Sequence, residues 1–135
     1  MNKQPSMKLN HLSFPTHDVE SEAKFWEDAF GSTIEFVDED SGSALIKHGG
    51  VDVVLEAMHE KISWHKDAHF GFEFETKAQV DALYQKLTKA GVVLETEVFN
   101  RVGRGSRFFG RTPGGVQFEV NTRQDMESKW FAADK

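Results

Sequence analysis

Apolar and polar residues alternate strictly along HFGFEFE, residues 69–75. Phe70, Phe72 and Phe74 take one parity; His69, Gly71, Glu73 and Glu75 take the other. That is the period of a β-strand with one apolar and one polar face. Directly after it, Thr76 and Gln79 stand at capping-box spacing, and Val80, Leu83, Leu87 and Ala90 form an apolar helical stripe that Gly91 stops. Strands are then predicted over about 92–99, 106–111 and 115–121, with NRVGRG and TPGG between them. Thr112-Pro113-Gly114-Gly115 predicts a type II turn, with Pro second and Gly third.

The first half follows the same plan. LNHLSFP places His11 and Ser13 on one face and Leu12 and Phe14 on the other. Asp18 is the predicted N-cap of a helix carrying Val19, Ala23, Trp26 and Phe30, with Gly31 as its stop. Strands are predicted over about 33–38, 43–48 and 51–57. The closing strands of the two halves match, GGVDVVLEA against GGVQFEVNT. Each half therefore has the order strand, helix, strand, strand, strand. The expected organisation is one domain, 1–135, with a first module at about 8–57, a linker at 58–67, a second module at about 68–122 and a tail at 123–135. In that tail Met126, Trp130 and Phe131 predict a short docking helix, and residues 1–6 a loose end.

The helices must cover the Phe, Val and Leu faces, so the polar faces of the two half-sheets are expected to curve toward each other. His11, Glu56, His69, Glu73, Gln117 and Glu119 fall on that surface. Neutral imidazole and carboxylate together suit a divalent cation such as Zn, Ni, Mn, Co or Fe. Singly, each of these residues is more often a solvated surface group than a ligand. The recurrence of His at the opening of both halves, and of Glu in both closing strands, is what singles them out. Pairing across a two-residue TPGG turn sets Phe108 opposite Glu119, which turns Arg107 and Arg111 away from that surface. Arg101 and Arg104, in the Gly-rich loop, are left to reach its mouth. His17, His48, His59 and His65 fall in turns or the linker and are expected at the surface.

Composition narrows the function. A length of 135 residues suits one domain with a real core. The net charge of −6, with no Lys/Arg block, argues against a nucleic-acid partner. The absence of Cys excludes disulfides, thiolate metal sites and a Cys nucleophile. No apolar run approaches a membrane span or a signal peptide, so a cytoplasmic protein with no membrane partner is expected. No G-x-S-x-G is present, and GRGSRFFG lacks the Lys-Ser/Thr ending of a phosphate loop.

The order LNHLSFP…EAKFWEDAFG, HFGFEF…VDALYQKLTKAGV and RFFGRTPGGVQFEV resembles the vicinal oxygen chelate superfamily over about residues 8–122. Its members include glyoxalase I, bleomycin-resistance proteins, fosfomycin-modifying thiol transferases, methylmalonyl-CoA epimerase and extradiol dioxygenases. The resemblance implies an α+β fold of two βαβββ modules whose curved mixed sheet forms a cup with the helices outside, in a homodimer. It also implies metal ligation by His11, His69 and Glu119, with Glu56 added as in glyoxalase I-like members. The function implied is a metal-dependent, glyoxalase-like lyase or isomerase. The metal would bind neighbouring oxygens of a small substrate, and Glu56 or Glu119 would shift a proton. Glutathione or another thiol as co-substrate is one reading of the arginines. The alternative is a metal-free drug-binding protein of the bleomycin-resistance type; an Fe(II) dioxygenase ranks third. TPGG stands where many members carry Asp-Pro-Asp-Gly. Ser106 fits the Ser of the thiol transferases, but Phe108 and Phe109 stand where those members carry Tyr.

Overall fold

The computed structural model describes residues 4–126. The chain forms two compact units, Met1–Ile62 and Ser63–Lys135. The first contains β1 (His11–Thr16), α1 (Val19–Phe30), β2 (Thr33–Asp38), β3 (Ser43–His48) and β4 (Val51–Ala57). Its sheet order is β1-β4-β3-β2, with β1 parallel to β4 and the other pairs antiparallel. The Asp18 side chain accepts a hydrogen bond from Ser21 N at the start of α1, and Gly31 adopts φ 72° at its end. The helix buries Ala23 and Trp26, and the sheet buries Ala44, Ile46, Val53 and Leu55. On the other sheet face, pairing aligns Ser13, Val54, Leu45 and Phe36 in one row.

The second unit contains β5 (His69–Phe74), α2 (Lys77–Lys89), β6 (Val93–Leu94), β7 (Phe99–Arg101), β8 (Gly105–Arg111) and β9 (Gln117–Thr122). Its sheet runs β5-β9-β8-β6, with β7 also paired to β8. The capping box forms as expected: Thr76 accepts from Gln79 N, and the Gln79 side chain accepts from Thr76 N. Val80 and Leu87 of α2 are buried, as are Phe108, Phe118 and Val120 of the sheet. Gly110 is required here, because a Cβ would meet the Phe118 ring at 2.5 Å. The strand expected over 92–99 is instead two short pieces. Glu95 N and Thr96 N both bond to Phe109 O, and Thr96 Oγ accepts from Phe109 N, which interrupts the ladder between them.

The TPGG turn also differs from expectation. Gly115 N does bond to Thr112 O, but Thr112 N bonds to Val116 O, and the positive φ falls on Gly115, not Gly114. This is a three-residue hairpin loop, a type I turn closed by a left-handed glycine, rather than a two-residue type II turn. One extra loop residue moves the register by one, so Phe109 and not Phe108 pairs with Glu119. A shift of one residue exchanges the faces of a whole strand. Arg107, Phe109 and Arg111 therefore share the helix-free face with Gln117, Glu119 and Asn121, correcting the expectation that these arginines point away. Ser106 takes the opposite parity and is buried, bonded to Asp125.

Residues 127–135, with Trp130 and Phe131 of the expected docking helix, lie outside the described residues. Among the described residues no helix is long and apolar enough to cross a membrane.

Candidate active site on the second unit

The parallel pairing of β5 with β9 sets His69 beside Gln117, Gly71 beside Glu119 and Glu73 beside Asn121. The side chains of these residues lie on the sheet face that α2 leaves open. There His69, Gly71, Glu73, Glu119 and Asn121 line a cavity of about 380 Å³ together with Arg104, Arg107 and Arg123.

Glu119 is the centre of this face and is only 8% exposed. Its Oε2 accepts hydrogen bonds from Arg107 Nη1 at 2.9 Å and Asn121 Nδ2 at 2.5 Å. Its Oε1 lies 3.4 Å from His69 Nε2. His69 is oriented from behind, since its Nδ1 lies 2.9 Å from Asp67 O. A carbonyl oxygen can only accept, so Nδ1 carries the proton of the neutral ring and Nε2 keeps its lone pair. The Phe109 ring meets the imidazole edge-on, with centroids 5.6 Å apart. Gly71 keeps the space in front of Glu119 open: a Cβ there would lie 3.4 Å from Glu119 Cβ and 3.3 Å from its carbonyl oxygen.

Arg107 is 5% exposed and is fixed by its own donors, Nε to Gly105 O and Nη2 to Arg104 O, besides the bond to Glu119. Burial pushes its pKa down, the Glu119 charge opposes that, and the charges of Arg104, Arg101 and Arg123 push it further down. A guanidinium still remains protonated at any working pH. Further along the same face Glu95 accepts from Arg111 Nε at 3.0 Å and Gln117 Nε2 at 2.7 Å. Burial works against its ionisation, but those two hydrogen bonds and the Arg111 charge hold its pKa below the usual value.

The residues expected from the first unit are placed differently. The His11 Nδ1 lies 2.7 Å from Asn10 Oδ1, an oxygen that also fixes Nδ1 as the protonated nitrogen. Glu56 accepts a hydrogen bond from Ser43 Oγ at 3.1 Å. In the second unit the Glu stands two positions beyond the partner of the His, since His69 pairs with Gln117 and Glu119 follows. The same step in the first unit, from the Asp52 partner of His11, reaches Val54. Glu56 pairs with Pro15, one further pair along the face, so it is not the register equivalent of Glu119. The matched closing strands GGVDVVLEA and GGVQFEVNT already align Val54 with Glu119.

Among the described residues no group of three or more His, Asp or Glu side chains converges to hold a metal. The second unit brings together two, His69 and Glu119, and the chemistry of this pair suits a cation. Metal–nitrogen and metal–oxygen bonds of roughly 2.0–2.2 Å, meeting near the tetrahedral angle, separate their donors by about 3.2–3.5 Å. The observed separation is 3.4 Å. Sequence pattern pointed to His69, Glu73 and Glu119 but missed Arg107, Asn121 and Gly71. The cue for Gly71 was its position between His69 and Glu73 on the polar parity of HFGFEFE.

Each of the two units opens with a strand and a helix and then completes a sheet, and the second carries a His–Glu pair backed by a buried Arg on its open sheet face. The chain belongs to the Glyoxalase/Bleomycin resistance protein/Dioxygenase superfamily, whose model matches residues 8–120. A possible glyoxalase from Bacillus cereus is similar at 26% identity and TM-score 0.72, over 86% of this chain and 99% of that one. A lactoylglutathione lyase from Agrobacterium tumefaciens is 18% identical with TM-score 0.70, over 90% and 97% of the two chains. A mutant of the fosfomycin resistance protein FosX from Listeria monocytogenes, complexed with manganese(II) and a dihydroxypropylphosphonic acid, is 14% identical with TM-score 0.74, over 89% and 93%. No curated protein sequence matches at a significant level.

Proposed function

We propose that this protein is a metal-dependent enzyme of glyoxalase type, a lyase or isomerase acting on a small molecule with two neighbouring oxygens. The observation that carries this is the approach of two lone pairs, His69 Nε2 and Glu119 Oε1, to 3.4 Å on an open cavity wall. Two acceptors held face to face repel unless a proton or a cation lies between them. His69 and Glu119 are the ligands from the second unit. His11, whose Nε2 is likewise left free by its Nδ1 contact, is the third ligand that the resemblance implies, from the same chain or a second copy. Glu56 is the weakest of the four expected ligands, because Val54 takes the corresponding register position.

A bound divalent cation would supply Lewis acidity to the substrate oxygens. The chain's own residues do the rest. Arg107 and Asn121 hold Glu119 in one orientation, so Glu119 is suited to ligation and not to swinging between positions. Glu73, exposed on the same cavity wall, is free to take a proton from carbon next to a carbonyl and return it. Phe109 closes one side of the imidazole against water.

Elemental analysis of untagged protein, followed by titration of the stripped form with Zn, Ni, Mn, Co and Fe(II), tests this. About one metal per chain is expected. Uptake should be lost in His69→Ala and Glu119→Ala and retained in Glu73→Gln. With that result, 2-oxoaldehyde–thiol adducts are the first substrates to screen. Folded protein that takes up none of these metals would overturn the proposal. The second reading would then hold: a metal-free binding protein in which a protonated His69 pairs with Glu119, a contact already within ion-pair range.

A further inference from the structure

The two oxygens of Glu119 have different surroundings. Oε2 accepts from Arg107 Nη1 at 2.9 Å and from Asn121 Nδ2 at 2.5 Å, whereas Oε1 is the oxygen directed at His69 Nε2, 3.4 Å away. Register explains the convergence. Arg107 is the cross-strand partner of Asn121, and Asn121 stands two positions beyond Glu119 on the same face of β9. Two donors from two strands therefore meet one carboxylate oxygen. Such an oxygen offers about two lone-pair sites, so Oε2 is filled.

Arg107 is held to this contact from behind. Its Nε donates to Gly105 O at 3.5 Å and its Nη2 to Arg104 O, which leaves Nη1 aimed at Glu119. Gly105 brings those carbonyls within reach: its φ is 80°, and a Cβ there would strike Thr122 O, so glycine lets the start of β8 lie against the end of β9. Guanidinium and carboxylate are both buried, and water competes little for either. A carboxylate can ligate a cation through one oxygen or through both. Here the second mode would have to strip Oε2 of a donor and bring the cation against a guanidinium of like charge.

We propose that Arg107 and Asn121 are positioning residues that restrict Glu119 to ligation through Oε1 alone. This rests on the reading that His69 and Glu119 hold a divalent cation, and it adds the mode in which they do so. The consequence is for the substrate. A second carboxylate oxygen on the cation would occupy a position that one of two neighbouring substrate oxygens needs. Arg107 also shares the Glu119 charge, so the carboxylate neutralises less of the cation's charge and leaves it a stronger Lewis acid. A pair that served the fold alone would act differently: without it Glu119 would be loose, and metal uptake would weaken.

The test titrates stripped, full-length protein with Mn(II). Electron paramagnetic resonance reads the free ion, and the relaxation of solvent protons counts the waters on the bound one. Arg107→Met/Asn121→Ala, in which Oε2 loses both donors, should bind Mn(II) about threefold or more tightly, since a like charge beside the ion is gone. It should also carry about one bound water fewer, because Oε2 takes that place. A second measurement needs no destabilised variant. In the parent, the Asn121 side-chain amide proton bonded to Glu119, identified by its absence from the spectrum of Asn121→Ala, should stay shifted downfield when Zn(II) saturates the protein. Folded parent that takes up neither ion overturns the metal-site reading and this proposal with it. Uptake with equal water counts in parent and double variant, whether binding is weakened or not, overturns this proposal and leaves that reading standing. So does loss of the Asn121 bond on Zn(II) binding.

Discussion

Arg107 and Glu119 show how much one ion pair can organise. Both are nearly buried, and their side chains meet at 2.9 Å. A buried pair costs several kcal/mol to desolvate and recovers that through its own attraction and through added hydrogen bonds. Here Asn121 and two main-chain carbonyls supply the additional bonds. Removing one partner leaves the other charge stranded. Arg107→Met is therefore expected to cost about 3–5 kcal/mol in urea unfolding, and Arg107→Met combined with Glu119→Leu to recover most of it. A cost below about 1 kcal/mol for the single change would mean that the pair is solvated and unimportant to the fold.

Asp125 is a second residue whose environment makes a prediction. It accepts hydrogen bonds from Ser106 N at 3.0 Å, Ser106 Oγ at 2.5 Å and Asn100 Nδ2 at 3.0 Å. Burial raises its pKa, but the bonds from Ser106 and Asn100 outweigh that and hold it below the ordinary value. A carboxyl with a depressed folded pKa stabilises the protein above its unfolded pKa of about 3.9, and that stability is lost as pH falls through the lower, folded value. Asp125→Asn, which mimics the protonated acid, should lower the melting temperature at pH 7. The gap to the parent should close as pH drops below about 4. A gap that persists unchanged in acid would show that the charge is not what matters.

At the scale of elements, the hairpin between β8 and β9 decides the chemistry of the face. The apolar pattern of β8 is ambiguous, because Phe108 and Phe109 are adjacent and either could face α2. Burying a Phe contributes about 2–3 kcal/mol whichever one is chosen. The loop breaks the tie. Its left-handed residue is Gly115, at φ 90°. Gly115→Ala should cost about 1–2 kcal/mol from backbone strain, since a Cβ there meets only the Trp64 ring at an ordinary 3.5 Å. Gly114→Ala, at a position without positive φ, should be neutral or slightly stabilising. The opposite ranking in thermal melts would indicate a type II turn and return Arg107 and Arg111 to the other face.

For the whole molecule, the informative segment is the connection between the units. Residues 58–67 have almost no regular structure, and Lys61 and Lys66 are exposed. The two lysines are not equivalent. Trp64 Nε1 donates to Gly114 O at 3.2 Å, and Ala68 N bonds to His65 O at 3.0 Å, so the latter half of the segment is tied to the second unit. Limited trypsin digestion read by mass spectrometry should cut at Lys61 first, apart from cleavage near the chain ends, and Trp64→Ala should open Lys66 as well. First internal cleavage within β8 or α2 would contradict the division into two closed units.

Local signals settled the elements. Parity along HFGFEFE, the Asp18 and Thr76 caps and the Gly31 stop each involve residues within a few positions of one another, so their physics is complete in the chain itself. For the same reason the polar parity of β5 and β9 led to His69, Glu73 and Glu119. Cross-strand neighbours were another matter. Whether Phe109 or Phe108 lies opposite Glu119 depends on one residue of the 113–115 loop, and whether Val54 or Glu56 answers to Glu119 depends on the pairing of β1 with β4. Both are properties of register, which adjoining apolar residues leave degenerate and only the assembled sheet resolves. The sequence by itself determined that a His and a carboxylate share a polar strand face. The tertiary structure decided that a buried arginine stands behind them, and so which oxygen of that carboxylate is left facing the imidazole.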